Sequence, residues 1–183
     1  MNRALIVIDV QESFRQRPNW AEVSNPDIVG KVNQLVDLAR AEDDLVVWVL
    51  HSEPGTKDVF DPASGYVRLI EGLQPRADEP LLTKTSHNAF TTTNLQQTLT
   101  ARGIRDLRIS GIRTEQCCET TTRVASDLGF EVTFVTDATA TTPIAHWRTG
   151  AVLGTEDIVA RTEYALAGRF ASIATVAELT GVR

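Results

Sequence analysis

The chain has 183 residues, 42% hydrophobic and 23% charged, a balance that excludes the disordered, collagen-like and coiled-coil classes and fits an ordinary globular protein. Eighteen lysines and arginines against 24 acidic residues leave a formal charge of −6 and a pI near 5.1, which argues against a nucleic-acid partner, since that would call for a basic face. No apolar run approaches the about 18 residues of a membrane span. The first apolar run, Ala4 to Ile8, stops at Asp9, too short for a signal-peptide core, so a cytoplasmic protein with no membrane partner is expected.

A chain of this length buries about 70% of its unfolded surface, so its core needs no disulfide or metal staple. Cys117 and Cys118 are neighbours, and pairing them would close a strained ring, so both are expected as free thiols.

In chain order, ALIVID over 4–9 is a continuous apolar run, the pattern of a central strand covered on both faces, and it ends on a carboxylate. Asn25-Pro26 reads as a helix cap and first-turn proline ahead of Ile28, Val32, Leu35, Val36 and Leu38 at mostly helical spacing. LVVWVL over 45–50 is a second buried strand. Residues 51–79, with Pro54, Pro62 and Pro75 and with Pro80 at the border, read as a long irregular excursion of the kind that often carries function.

Next come the segment PLLTKT (80–85), a helix from about Thr92 to Arg102 closed by Gly103, and a strand over 106–110. GIRTEQ then turns into a helix from about Cys117 to Leu128, capped by Gly129, and EVTFVT (131–136) is a strand ending at Asp137. Helices are expected over 143–153 and 155–167, then an apolar piece from Phe170 to Ile173 and a final TVAELTG helix. Strands alternating with helices predict a parallel α/β sheet with right-handed crossovers, and no repeat or linker divides the chain.

In such a sheet the strand carboxyl ends meet along one edge, where ligands bind. Three reactive residue types follow apolar segments there: Asp9, Lys84 and Cys117. A cysteine in the first turn of a helix faces unpaired backbone N–H groups and the positive end of the helix dipole, so a lowered thiol pKa is expected, with a lysine adding to it. A thiolate alone cannot protonate a leaving group. A nearby carboxylate, for which Asp9 is the obvious source, could take the thiol proton and return it to a departing amine.

The stretches ALIVIDVQESF, LLTKTSHNAF, GIRTEQCCETTTRVASDLGFEVTFVTDATAT and RFASIATVAEL stand in the order and spacing of the isochorismatase-like cysteine hydrolases, which the chain resembles over nearly its whole length. The resemblance implies one domain over 1–183, a three-layer α/β sandwich around a mostly parallel, Rossmann-like sheet of about six strands. The family includes nicotinamidases, N-carbamoylsarcosine amidase, ureidoacrylate amidase and isochorismatase itself. Its catalytic aspartate, lysine and cysteine fall on Asp9, Lys84 and Cys117, the last six residues after Gly111, and not on Cys118. It further implies a cis peptide between Ile112 and Arg113, an oxyanion hole from the backbone N–H groups of Arg113 and Cys117, and homo-oligomers, dimers or tetramers.

Those expectations amount to cleavage of a small amide or carbamoyl C–N bond through a Cys117 thioester, with no cofactor. The metal-binding nicotinamidases carry an Asp-x-His element that is missing here, and the three histidines His51, His87 and His146 are far apart, so no metal is expected. Some vinyl-ether-cleaving isochorismatases lack the thiol, so keeping Cys117 favours C–N hydrolysis; ether hydrolysis and a catalytically silent oligomeric interaction module are the alternatives. Substrate contacts are expected from Phe14, His51, Asn88 and Phe90, with His51 open to a structural hydrogen bond instead. Trp48, on a strand, reads as core or interface. Arg113 either attracts an anionic substrate or faces a neighbouring subunit, and loop 51–79 and the region of His146 and Trp147 are where specificity would reside.

Overall fold

A computed structural model describes residues 2–181 of the chain. Its centre is a parallel sheet of six strands in the order β3-β2-β1-β4-β5-β8. The strands are β1 (Arg3–Ile8), β2 (Leu45–His51), β3 (Leu81–Lys84), β4 (Asp106–Ile112), β5 (Glu131–Ala140) and β8 (Ser172–Ala174). β1 pairs with β2 from Ala4↔Leu45 to Ile8↔Val49, and with β4 from Arg3↔Asp106 to Ile8↔Gly111.

Side chains alternate across a strand, so a strand covered on both sides needs apolar residues at odd and even positions alike. In β1, Ala4, Ile6 and Ile8 pack on one face, against Leu95 and Leu99 of helix α3 (Leu95–Ala101), Ala125 of α4 (Glu119–Asp127) and Leu166 of α5 (Thr155–Leu166). Leu5 and Val7 pack on the other face, against Ile28, Val32, Leu35, Val36 and Ala39 of α2 (Ile28–Ala41) and Val176 of α6 (Val176–Thr180). The result is three layers around one sheet, as the apolar runs predict. Trp48 is wholly buried in the second layer, its Nε1 donating to Glu79 at 2.8 Å, so it belongs to the core. α6 begins with a capping box, in which Thr175 and Glu178 bond each other's backbone N–H groups.

Chain order places the site. The chain runs outward from β1 through β2 to β3 and then returns to β4 on the other flank of β1, so the strand order reverses between β1 and β4. The crevice at such a reversal opens at the carboxyl ends of the strands. Two short helical pieces, α1 (Glu12–Arg15) and a 3₁₀ turn at Pro18–Glu22, roof that end. The excursion over 51–79 lies beside residues 10–13, with backbone bonds Ile70 N–H to Val10 O, Glu12 N–H to Arg68 O and Ser13 N–H to Tyr66 O. Phe60, Ile70 and Leu73 anchor it by burial.

Three expectations need correction. Residues 143–153 are a hairpin, not a helix: β6 (Ile144–Ala145) pairs antiparallel with β7 (Val152–Leu153). His146 Nδ1 accepts the N–H groups of Arg148 and Thr149, and Gly150 turns with φ +72°, so side-chain bonding and a left-handed glycine close the loop in place of helical bonds. Apolar spacing in this segment reflects no buried face, since Trp147 is 81% exposed. β5 runs past Asp137 to Ala140, because its pairing shifts from Ile109↔Phe134 to Gly111↔Thr139 through an irregularity that extra residues absorb. The helix expected from Cys117 begins instead as a π-helical turn at Thr114–Cys118, followed by α4. Among the described residues, no helix is long and apolar enough to cross a membrane.

Candidate active site

Asp9, the first residue after β1, adopts φ +54°, and its N–H bonds Val49 O at 2.8 Å. This left-handed residue breaks the strand path at its carboxyl end, and an aspartate tolerates the conformation better than most side chains do. Across from Ile8, Gly111 has φ +131°, and a Cβ there would lie 1.9 Å from Ile8 O. β1 and β4 therefore close on each other at the reversal point only because residue 111 has no side chain. The Ile112–Arg113 peptide that follows is cis, where the resemblance puts it.

The π-helical turn carries Cys117 to the cavity while Cys118 faces the core with no exposure. Thr114 Oγ1 donates to Thr139 Oγ1 at 2.8 Å, which donates to Thr136 O at 2.8 Å, fastening the turn to β5. Lys84, the last residue of β3, is wholly buried, and its Nζ is 2.7 Å from Asp9 Oδ2 and 3.4 Å from Cys117 Sγ. A third neighbour of this nitrogen is His51 Nδ1, at 3.3 Å, and His51 Nε2 lies 3.2 Å from Glu53 Oε1. The carboxyl ends of β1, β2 and β3 and the turn after β4 thus deliver an acid, an imidazole, an ammonium and a thiol to one point.

Burial pushes the Asp9 carboxyl above the usual carboxylate range, against the pull of Lys84 and a hydrogen bond with the thiol. Burial and the negative charge of Asp9 push the Cys117 thiol up to about 12, with Lys84 opposing. A helix-start position by itself would shift the thiol the other way. Cys117 is only 7% exposed and faces a carboxylate, and these outweigh the lysine. At rest the site holds a thiol, and the proton must leave as the sulfur reacts.

A cavity of about 210 Å³ opens above Cys117 and Asp9. Phe14, Trp20 and Phe60 supply aromatic wall, and Arg113, Gln116 and Thr142 supply polar wall. Of the expected substrate contacts, Phe14 and His51 line it, but Asn88 and Phe90 do not. Asn88 Oδ1 accepts the N–H groups of Phe90 and Thr91, both at 2.9 Å, to cap its own turn. Phe90 is buried in the core and stacks on Phe130 at 6.0 Å. The chain turns under the helical layer after Lys84, with Ala89 N–H bonded to Thr121 Oγ1 at 3.1 Å, which carries both residues away from the cavity.

Arg113 spends its guanidinium on neighbours of its own chain: Nε lies 3.2 Å from Glu115 Oε1 and one Nη donates to Thr142 O at 2.7 Å. Arg17, Asn19, Glu53, Phe60, His87 and Thr141 also line the cavity, and sequence reasoning did not single them out. Most lie in loops without periodicity. Glu53 alone had a signal, since in extended backbone it shares a side with His51 two residues earlier. Among the described residues, no three His, Cys, Asp or Glu side chains are grouped as a metal ion would need.

A six-stranded parallel α/β sandwich of this topology is a fold with known relatives. The isochorismatase domain family matches residues 3–160. Nicotinamidase 3 of Arabidopsis thaliana is 32% identical over 152 residues, covering 75% of this chain and 73% of that protein. A probable inactive nicotinamidase of the same plant is 33% identical over 181 residues, covering 88% and 91%. The crystal structure of an isochorismatase from Pseudomonas putida KT2440 superposes with a TM-score of 0.87 at 31% identity, covering 97% of this chain and 89% of that one. The chain belongs to the isochorismatase family of hydrolases.

Proposed function

We propose that this protein hydrolyses the C–N bond of a small amide or carbamoyl compound through a thioester on Cys117. The observation that carries the reading is the convergence of Asp9, Lys84 and Cys117 beneath one cavity, with Lys84 Nζ 2.7 Å from the carboxylate and 3.4 Å from the sulfur. Relatives named for amide cleavage support the bond class.

The steps follow from the charges. Asp9 takes the thiol proton as the sulfur bonds the carbonyl carbon, and the carbonyl electron pair moves onto oxygen. A carboxylate whose affinity for protons is raised by burial is a better acceptor than an exposed one. The oxyanion meets the backbone N–H groups of Arg113 and Cys117, and one such donor is typically worth ~10²-fold in rate. When the C–N bond breaks, the amine leaves with the proton held by Asp9. Water then adds to the thioester as Asp9 takes one of its protons; the C–S bond breaks, the acid product leaves and Asp9 returns the proton to sulfur. Lys84 keeps its charge throughout, holding Asp9 in place and supporting the sulfur as it becomes anionic.

The test is mass spectrometry of the protein after brief exposure to a panel of small amides, together with ammonia release. An acyl adduct on Cys117 and turnover lost in Cys117→Ala are expected. Isochorismate turnover that survives Cys117→Ala would replace the reading with ether hydrolysis, and neither adduct nor turnover would replace it with a silent interaction module.

A further inference from the structure

Three cations around the cavity each have a carboxylate partner: Lys84 with Asp9 at 2.7 Å, Arg17 with Asp58 at 2.9 Å and Arg113 with Glu115 at 3.2 Å. Glu53 lines the same cavity, with a side chain 43% exposed, and among the described residues no lysine or arginine is paired with it. Among the described residues, its carboxylate is paired only with His51 Nε2, at 3.2 Å.

Lys84 decides what that histidine contributes. An ammonium has hydrogens to donate and no lone pair, so His51 Nδ1, 3.3 Å from Lys84 Nζ, must be the acceptor. An imidazole that accepts at Nδ1 carries its one proton on Nε2, where it donates to Glu53. The ring thus turns its Nε2 toward Glu53 and orients that carboxylate. Among the described residues, Glu53 is left as a cavity carboxylate with no lysine or arginine partner. In the same cavity wall, Phe14 and Trp20 supply aromatic rings, which also favour cations, whereas the face of Phe60 already has Arg17 above it at 5.2 Å.

We propose that the cavity selects substrates bearing a cationic nitrogen, an ammonium or amidinium group, which Glu53 holds by a charge-assisted hydrogen bond while the scissile carbonyl lies at Cys117. This rests on Cys117 as the nucleophile and names the substrate class for that reaction. Anionic amides are disfavoured because Arg17 and Arg113, the cations that would meet them, are already paired.

Thiol-labelling reagents of similar size test this without a known substrate. Cys117 is labelled with aminoethyl (cationic), sulfonatoethyl (anionic) and methyl (neutral) methanethiosulfonate, sites are assigned by peptide mass, and charged rates are normalised to the neutral one in each protein. The cationic-to-anionic ratio should fall about tenfold in Glu53→Gln and further in Glu53→Lys. In the unaltered protein, added salt should lower the same ratio. A ratio indifferent to both variants and to salt would overturn the proposal. Because labelling needs no turnover, a shifted ratio with no amide hydrolysed would support charge selection while removing the hydrolytic reading.

Discussion

The ammonium of Lys84 stands 2.7 Å from Oδ2 of Asp9, and neither side chain has any exposure. Each is a charge that the interior accepts only because the other is present, since removing one partner of a buried pair strands the other. Asp9→Asn and Lys84→Met should therefore each cost about 3 kcal/mol, and the double variant should cost less than their sum. Urea unfolding of the four proteins checks this, with additive losses as the contrary result. Asp9→Asn, still folded, should also lose all measurable turnover; unchanged activity would remove its proton-transfer role.

Cys117 carries a pH signature. Its folded thiol is pushed up to about 12, whereas an unfolded cysteine titrates near about 8.5. The folded chain thus keeps a proton that the unfolded chain releases. The resulting stabilisation is complete below about pH 8.5 and is lost as pH rises toward the folded value. Iodoacetamide labelling of Cys117 should climb without a plateau from about pH 7 to about pH 10.5. A plateau below about pH 9 would mean a resting thiolate and a different first step.

Gly111 should tolerate no side chain. A Cβ at this position would meet Ile8 O at 1.9 Å, and the glycine already has φ +131°. Gly111→Ala should cost about 3 kcal/mol or more, since both backbone strain and overlap oppose it. Chemical denaturation or the soluble yield reads the loss, and a variant as stable as the parent would show that β1 and β4 are not so tightly apposed.

Phe14 and Phe90 should separate binding from packing. Phe14 lines the cavity with its ring edge-to-face on Phe60 at 5.0 Å, whereas Phe90 stacks in the core. Phe14→Ala should raise KM for a turned-over amide several-fold. Phe90→Ala should leave KM as it is and cost about 3 kcal/mol of stability. Steady-state kinetics beside thermal unfolding resolves the two, and the reverse pattern would return Phe90 to the substrate wall.

What the amino-acid order alone determined was the layered fold and three positions, Asp9, Lys84 and Cys117, that meet beneath one cavity. Unbroken apolar runs such as Ala4 to Ile8 dictate strands covered on both faces, and polar residues just beyond such runs lie at the carboxyl edge by backbone geometry. Local pattern therefore sufficed for Asp9 and for the ends of β2 and β3.

Other properties arise only when distant segments meet. The direction of the Cys117 shift depends on burial and on Asp9, over a hundred positions away in the chain, so the helix-start argument had no access to it. Asn88 and Phe90 leave the site because a core contact with Phe130 and a bond to Thr121 draw their turn toward α4. The orientation of His51 toward Glu53 is set by an ammonium from another strand, 3.3 Å from its Nδ1. Burial and electrostatic pairing are sums over neighbours in space, and only the closed fold specifies those neighbours.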